Sequence, residues 1–129
     1  AADEIDVPGA LSLLKHQHPG LDIHLDVTKG LKIDEIEIAE ALVRSTQEAI
    51  TNALKHGRAK TIWIELGQNE RGVTLSVRDD GEGGAPGAGG HGLQGMSERA
   101  GLLGGALEVD RSAGRGWTLR LFFPSEVTA

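Results

Sequence analysis

Hydrophobic residues recur along this chain with two different periods, and the changes of period mark its elements. Leu21-Asp22-Ile23-His24-Leu25-Asp26-Val27 alternates apolar and polar positions, as a strand with one buried face does. Thr61 to Leu66 and Val73 to Arg78 alternate in the same way across the polar run Gln68-Asn69-Glu70-Arg71-Gly72, which predicts an antiparallel hairpin. Ala106 to Asp110 and Trp117 to Phe123 predict two more strands around a turn at Arg111 to Gly116, with Pro124 stopping the sheet. From Asp34 to His56 the period lengthens. Ile38, Leu42, Thr46, Ala49, Ile50, Ala53 and Leu54 recur at steps of three and four, predicting an amphipathic helix of about six turns. Asp34 with Glu37 reads as a capping box at its start, and Gly57 as its stop. Shorter helices are predicted over Val7 to His18, with Ala10, Leu11 and Leu14 inward, and over Leu93 to Leu103, with Met96, Ala100 and Leu103 on one side. Pro19-Gly20 and Gly104-Gly105 end them. The order αβαββαββ implies an α+β fold, a two-layer α/β sandwich with helices on one face of a mixed β-sheet.

Composition narrows the function. The 129 residues suit one domain with one core, and a net charge of −6 without any Lys/Arg block argues against nucleic acid as a direct partner. Cysteine is absent, which removes disulfides and thiolate metal sites. No apolar run reaches the ~20 residues of a membrane span. The chain opens Ala1-Ala2-Asp3 and its one methionine is Met96, so it reads as a segment of a longer protein. Eight of the 19 glycines fall between residues 81 and 95, too many for regular structure and too local for a linker, which predicts a mobile, site-forming loop.

Three short segments carry the candidate chemistry. On the long helix, Glu48, Asn52, Lys55 and His56 are spaced to project toward one side. An Asn carbonyl and nucleotide phosphates make a plausible oxygen shell for Mg²⁺, Lys55 is suited to phosphate charge, His56 to a base, and Glu48 to orienting water or accepting a proton. Taken alone, such a stripe is more often a solvated helix face. Asp79 closes a strand ahead of Gly81 and Gly83, where a carboxylate can accept a hydrogen bond from an exocyclic amine; taken alone, Asp-Asp-Gly is more often an ordinary turn. Gly90-His91-Gly92-Leu93 leads into a helix, whose unpaired N–H groups can cradle phosphate. His16, His18 and His24 have no metal-ligand spacing and read as surface residues.

In this order and spacing, Gln47-Glu48-Ala49-x-x-Asn52-Ala53-x-Lys55-His56, Asp79-x-Gly81-x-Gly83 and Gly90-His91-Gly92-Leu93-x-Gly95-Met96-x-Glu98-Arg99 resemble the N, G1 and G2 boxes of a known family. It is the ATP-binding catalytic domain of bacterial two-component sensor histidine kinases, in its nitrate-sensor-like form, within the GHKL superfamily shared with DNA gyrase. The resemblance runs from Leu21 to Pro124. It implies that Asn52 coordinates Mg²⁺, Asp79 binds the adenine amino group and Gly90 to Leu93 hold phosphates, with Lys55, His56, Gly81, Gly83 and His91 completing the nucleotide site. Glu48, Asn52 and Lys55 would carry the catalytic roles, and Thr118 the adenine-side water.

The expected cofactors are ATP and Mg²⁺. The expected partners are the dimerisation and phosphoacceptor helices of the same parent protein and, indirectly, a response regulator. A cytoplasmic domain of a sensor, monomeric when isolated, is implied. Nothing in the chain resembles the phosphoacceptor segment, so the domain is expected to bind Mg·ATP without autophosphorylating alone. Two alternatives stand beside this: an anti-sigma-type serine kinase, and a nucleotide-gated interaction module without catalysis. The chain also departs from the family pattern. Gly84 stands where an aromatic is common, the lid from Ala85 to Gly90 has no Lys or Arg, and Gly116-Trp117-Thr118 replaces Gly-Thr-Thr. Arg99 reads as structural.

Overall fold

The computed structural model describes residues 5–81, 90–110 and 116–125, with side-chain surroundings for all of these except 56, 57 and 90–92. Its frame is one mixed five-stranded sheet in the order β1-β2-β3-β5-β4. These are β1 (Asp22–Val27), β2 (Thr61–Asn69), β3 (Gly72–Asp79), β4 (Ala106–Asp110) and β5 (Trp117–Pro124). Strands β1 and β2 pair in parallel, and the other neighbours are antiparallel. The hairpin is tighter than its polar run suggests. Its strands extend to the pair Asn69 and Gly72, and the Asn69 side chain accepts the Arg71 N–H at 2.8 Å across the turn.

One face of the sheet is buried. Ile23, Ile62, Ile64, Leu66, Val73, Leu75, Val77, Leu121 and Phe123, all at alternating positions, form a core with Leu11 and Leu14 of α1 (Val7–His16) and Ile38, Leu42 and Ile50 of α2 (Ile36–Asn52), and Leu119 is buried on the same face. Met96 and Ala100 bury the inner side of α3 (Gly90–Leu102). The opposite face carries Trp63, which stacks on His24 at 6.0 Å and lies under the Arg78 guanidinium at 4.0 Å. This is the expected two-layer α+β arrangement.

Helix ends depart most from expectation. Asp6 caps α1 through the Gly9 N–H at 3.0 Å, and Pro8 occupies its first turn, where a missing N–H costs nothing. The capping box on α2 does not form. The N-cap is Glu35, without a side-chain bond, and Asp34, one residue too early, lies 3.9 Å from Lys32 Nζ instead. At its other end α2 stops being an α-helix at Asn52 and widens into a π turn over Ala53–Gly57. The left-handed position that closes it belongs to Arg58 (φ 52), not to Gly57. Arg58 and Ala59 both return their N–H groups to the Ala53 carbonyl, which holds the wide turn shut. Gly104 (φ 82) ends α3 as expected. The Gly105 N–H reaches Ala100 O at 2.7 Å and the Gly104 N–H reaches Gly101 O at 3.1 Å, a Schellman closure.

Candidate nucleotide site

The C-terminal part of α2 and the end of β3 each carry one buried polar residue of those singled out above, Asn52 and Asp79. Asn52 is the last α-helical residue and is only 8% exposed, yet its side-chain nitrogen has no hydrogen-bond partner. Leaving an amide buried and unpaired costs about 1–3 kcal/mol. A group kept in that state is suited to a ligand that completes its bonding. Asp79, the last residue of β3, is equally buried. One carboxylate oxygen accepts the Gly81 N–H at 2.8 Å, which turns the chain sharply away from the strand.

Desolvation pushes the Asp79 carboxyl above the ordinary aspartate range; the Gly81 N–H opposes this and the Asp80 charge adds to it. Its folded pKa exceeds its unfolded one, so its stabilising contribution is complete below the unfolded value and is lost as pH rises through the folded one. Once ionised, the side chain therefore weighs against the fold. Asp80 behaves oppositely. It points outward, and its carboxylate accepts the Thr61 and Lys60 N–H groups at 2.9 Å each, which lowers its pKa. Its contribution is present above the unfolded value and fades as pH falls through the folded one. Asp80 is thus a staple on the start of β2 rather than a merely solvated residue.

Strand register sets Thr118 apart from Asp79. Asp79 pairs with Trp117, while Thr118 pairs with Arg78 on the opposite face of the sheet. Trp117, with Ala49, Val77, Leu119 and Asp79, encloses a cavity of about 10 Å³, room for a single water. The side chain beside the buried carboxylate is an indole, not a hydroxyl. Gly116 (φ 62) sets that register, because a Cβ there would collide with the Asp79 carbonyl oxygen.

The helical stripe is also redistributed. Glu48 and Asn52 share the α-helical face, but Lys55 and His56 lie in the π turn and so follow a different spacing; Lys55 is exposed. Glu48 is not free to orient water with both oxygens. Its Oε1 accepts from Arg99 Nη2 at 3.1 Å and lies 3.6 Å from Arg44 Nε, while Oε2 is buried without a partner. Gly90, His91 and Gly92 form the first turn of α3 itself instead of a loop ahead of it. Their backbone N–H groups are therefore those of a helix start, with the positive end of the helix dipole behind them. Leu93 is half-buried just beyond. Gly83 and most of the expected lid lie outside the described residues, as do the side chains of His56 and His91.

Residues 37–127 match the family described as Histidine kinase-, DNA gyrase B-, and HSP90-like ATPase. The chain belongs to this family. Among relatives of this ATPase domain, an uncharacterized sensor-like histidine kinase of Chloroflexus aurantiacus is 34% identical, over 78% of this chain and 19% of that protein. Sensor histidine kinase LnrJ of Bacillus subtilis is 31% identical, over 83% of this chain and 27% of LnrJ. The chain thus spans under a third of the length of these curated relatives. Among solved structures, the ATP binding domain of PrrB from Mycobacterium tuberculosis superposes with a TM-score of 0.68 at 25% identity, covering 89% of this chain and 88% of that one. The fold is that of the ATP-binding domain of sensor histidine kinases. The motif match set Thr118 beside the adenine, whereas the strand neighbour of Asp79 is Trp117. The apolar residues Trp117, Leu119, Leu121 and Phe123 already placed it on the buried face by parity, and Thr118 on the other.

Proposed function

We propose that this ATPase domain binds Mg·ATP in the α2–β3 seam and presents its γ-phosphoryl to a histidine on a separate helical segment of a longer sensor kinase. The observation that carries this reading is the pairing of a desolvated carboxylate, Asp79, with a buried unpaired amide, Asn52, on facing elements. Asp79 accepts from the adenine amino group, and a guanine carbonyl at the same position would face a carboxylate without a proton between them. The N–H groups of residues 90–92 hold phosphate oxygens. The Asn52 side-chain oxygen suits a hard cation, and the described residues hold no cluster of three His, Cys, Asp or Glu. Mg²⁺ would therefore be held largely by phosphates and water, which is its habit in phosphoryl-transfer sites. Bound there, the ion would neutralise charge on the phosphates during transfer. A cytoplasmic position beside a response regulator belongs to the same proposal.

Calorimetric titration tests the binding. ATP is expected to bind with Mg²⁺ enhancement and GTP far more weakly; equal affinity for both purines would refute the role of Asp79. Labelled ATP with a purified dimerisation segment in trans tests transfer. Phosphohistidine is the expected product, acid-stable phosphoserine would point to a serine kinase, and no transfer to a non-catalytic module.

Two optical and titrimetric results follow from the same geometry. The chain has two tryptophans, and only Trp117 lies beside Asp79. Tryptophan emission of the Trp63→Phe protein should change on addition of ATP, while that of Trp117→Phe should not. A silent Trp63→Phe protein that still binds ATP calorimetrically would move the purine elsewhere. Acidification should weaken ATP binding to the native protein at a pH above the ordinary aspartate range, as Asp79 protonates. The Asp79→Asn protein should show only the titration of the nucleotide itself, so identical pH profiles for the two proteins would contradict the assignment.

A further inference from the structure

Among the described residues, the polar tie between α2 and α3 is a partly buried ion pair, Arg99 to Glu48 at 3.1 Å between side chains 32% and 26% exposed. Elsewhere the two helices diverge around an open groove of about 340 Å³ lined by Glu37, Glu40, Ala41, Arg44, Leu102 and Leu103, with Arg99 at its edge. The ion pair bridges the two helices beside that groove. Glu48 lies one helical turn from Asn52, and Arg99 lies on the helix whose first turn is Gly90 to Gly92. The guanidinium lies back over its own helix. A Cβ at Gly95 would stand 3.4 Å from Arg99 Nη1, in ordinary contact, which places the guanidinium beside the preceding turn of α3. Arg44, the other cation near this carboxylate, is 63% exposed and 3.6 Å away, and contributes little.

We infer that Arg99 is a positioning residue for the triphosphate end of the site. By holding Glu48 it fixes α3 along α2, and so sets the N–H groups of residues 90–92 at a constant distance from the Asn52 side chain. The purine end, held by Asp79 on the sheet, does not depend on this tie. The inference rests on the nucleotide reading above and adds to it which residue aligns the two halves of the phosphate site. A helix is stiff, so a shift at Arg99 is carried to its first turn, where phosphate contacts tolerate little misplacement.

The test compares a non-hydrolysable ATP analogue with adenosine, both measured with Mg²⁺ by competition against a fluorescent adenine nucleotide. Arg99→Ala should weaken the analogue by about tenfold and leave adenosine unchanged, an effect typical of removing the partner behind a ligating group. Arg99→Lys should recover part of the loss, since a single ammonium replaces the charge but not the planar fork. Glu48→Gln should reproduce the Arg99→Ala pattern, and the double variant should lose no more than either single one. Loss of adenosine and analogue affinity in equal proportion would overturn the inference, showing a general structural role. So would unchanged affinity for both, or fully additive losses. A native protein that binds neither ligand would instead refute the nucleotide reading itself. If Arg99→Ala fails to fold, the Arg99→Lys and Glu48→Gln proteins carry the same comparison.

Discussion

Asp79→Ala is expected to weaken ATP binding by ~1–3 kcal/mol, the loss that follows removal of a charge-assisted hydrogen bond to the ligand. The thermal midpoint should hold or rise in the same variant. Asp79 is buried at a strand end, its carboxyl is pushed up by desolvation, and among the described residues its donor is the Gly81 N–H. A charge held under those conditions costs stability, and alanine removes that cost along with the Gly81 contact. Function and stability are thus expected to move in opposite directions, as they do where a site residue is kept against the interest of the fold. Calorimetry and thermal melts on one preparation check both halves. A variant that binds ATP normally, or one that melts far below the native protein, would contradict this account of Asp79.

Asn52→Ala carries the second large effect, and it is conditional on the ion. Mg²⁺ enhancement of ATP affinity should largely disappear, while affinity measured in chelator should change little. The Asn52 nitrogen is buried without a partner, so its removal takes away an uncompensated polar group and leaves a small void. Those two terms oppose each other, and the net change in stability should stay within about 1 kcal/mol. Titrations with and without Mg²⁺ separate this outcome from a general loss of binding. Undiminished Mg²⁺ dependence would remove Asn52 from the metal site, and a collapsed fold would make it structural.

Much of the fold was readable from periodicity because burial of one sheet face imposes it. Ile62, Ile64 and Leu66 alternate with Thr61, Trp63 and Glu65, and the buried set is the apolar one. The run from Ile38 to Ile50 keeps helical spacing because a single stripe of α2 faces the sheet. Other features are not local properties. The π turn after Asn52 depends on which carbonyl Arg58 and Ala59 find, and three-and-four spacing continues through Ala53 and Leu54 whether the turn is tight or wide. Three residues near the start of α3 looked like loop because glycine opposes helix, yet Gly90 and Gly92 are carried into the first turn by the helix behind them. The strand order was also invisible, since β5 inserts between β3 and β4.

The site was legible to the same degree and for the same reasons. Asn52 and Asp79 stood out through the motifs that contain them, and both are buried at the end of an element. For the hydroxyl expected on the adenine side, motif and pleat point to different residues. Alignment by Gly-x-Thr favoured Thr118, whereas the alternation of Trp117, Leu119, Leu121 and Phe123 put Trp117 on the correct face. The bond between Glu48 and Arg99 spans 51 positions and joins two helices that no periodicity relates, so only the folded chain reveals it.

The most direct test of the central claim is a crystal structure with a non-hydrolysable ATP analogue and Mg²⁺. The adenine amino group should lie within hydrogen-bond distance of the Asp79 carboxylate, with the ion against the Asn52 side-chain oxygen and the phosphates at the first turn of α3. A nucleotide bound elsewhere, or one in this seam touching neither Asp79 nor Asn52, would contradict it.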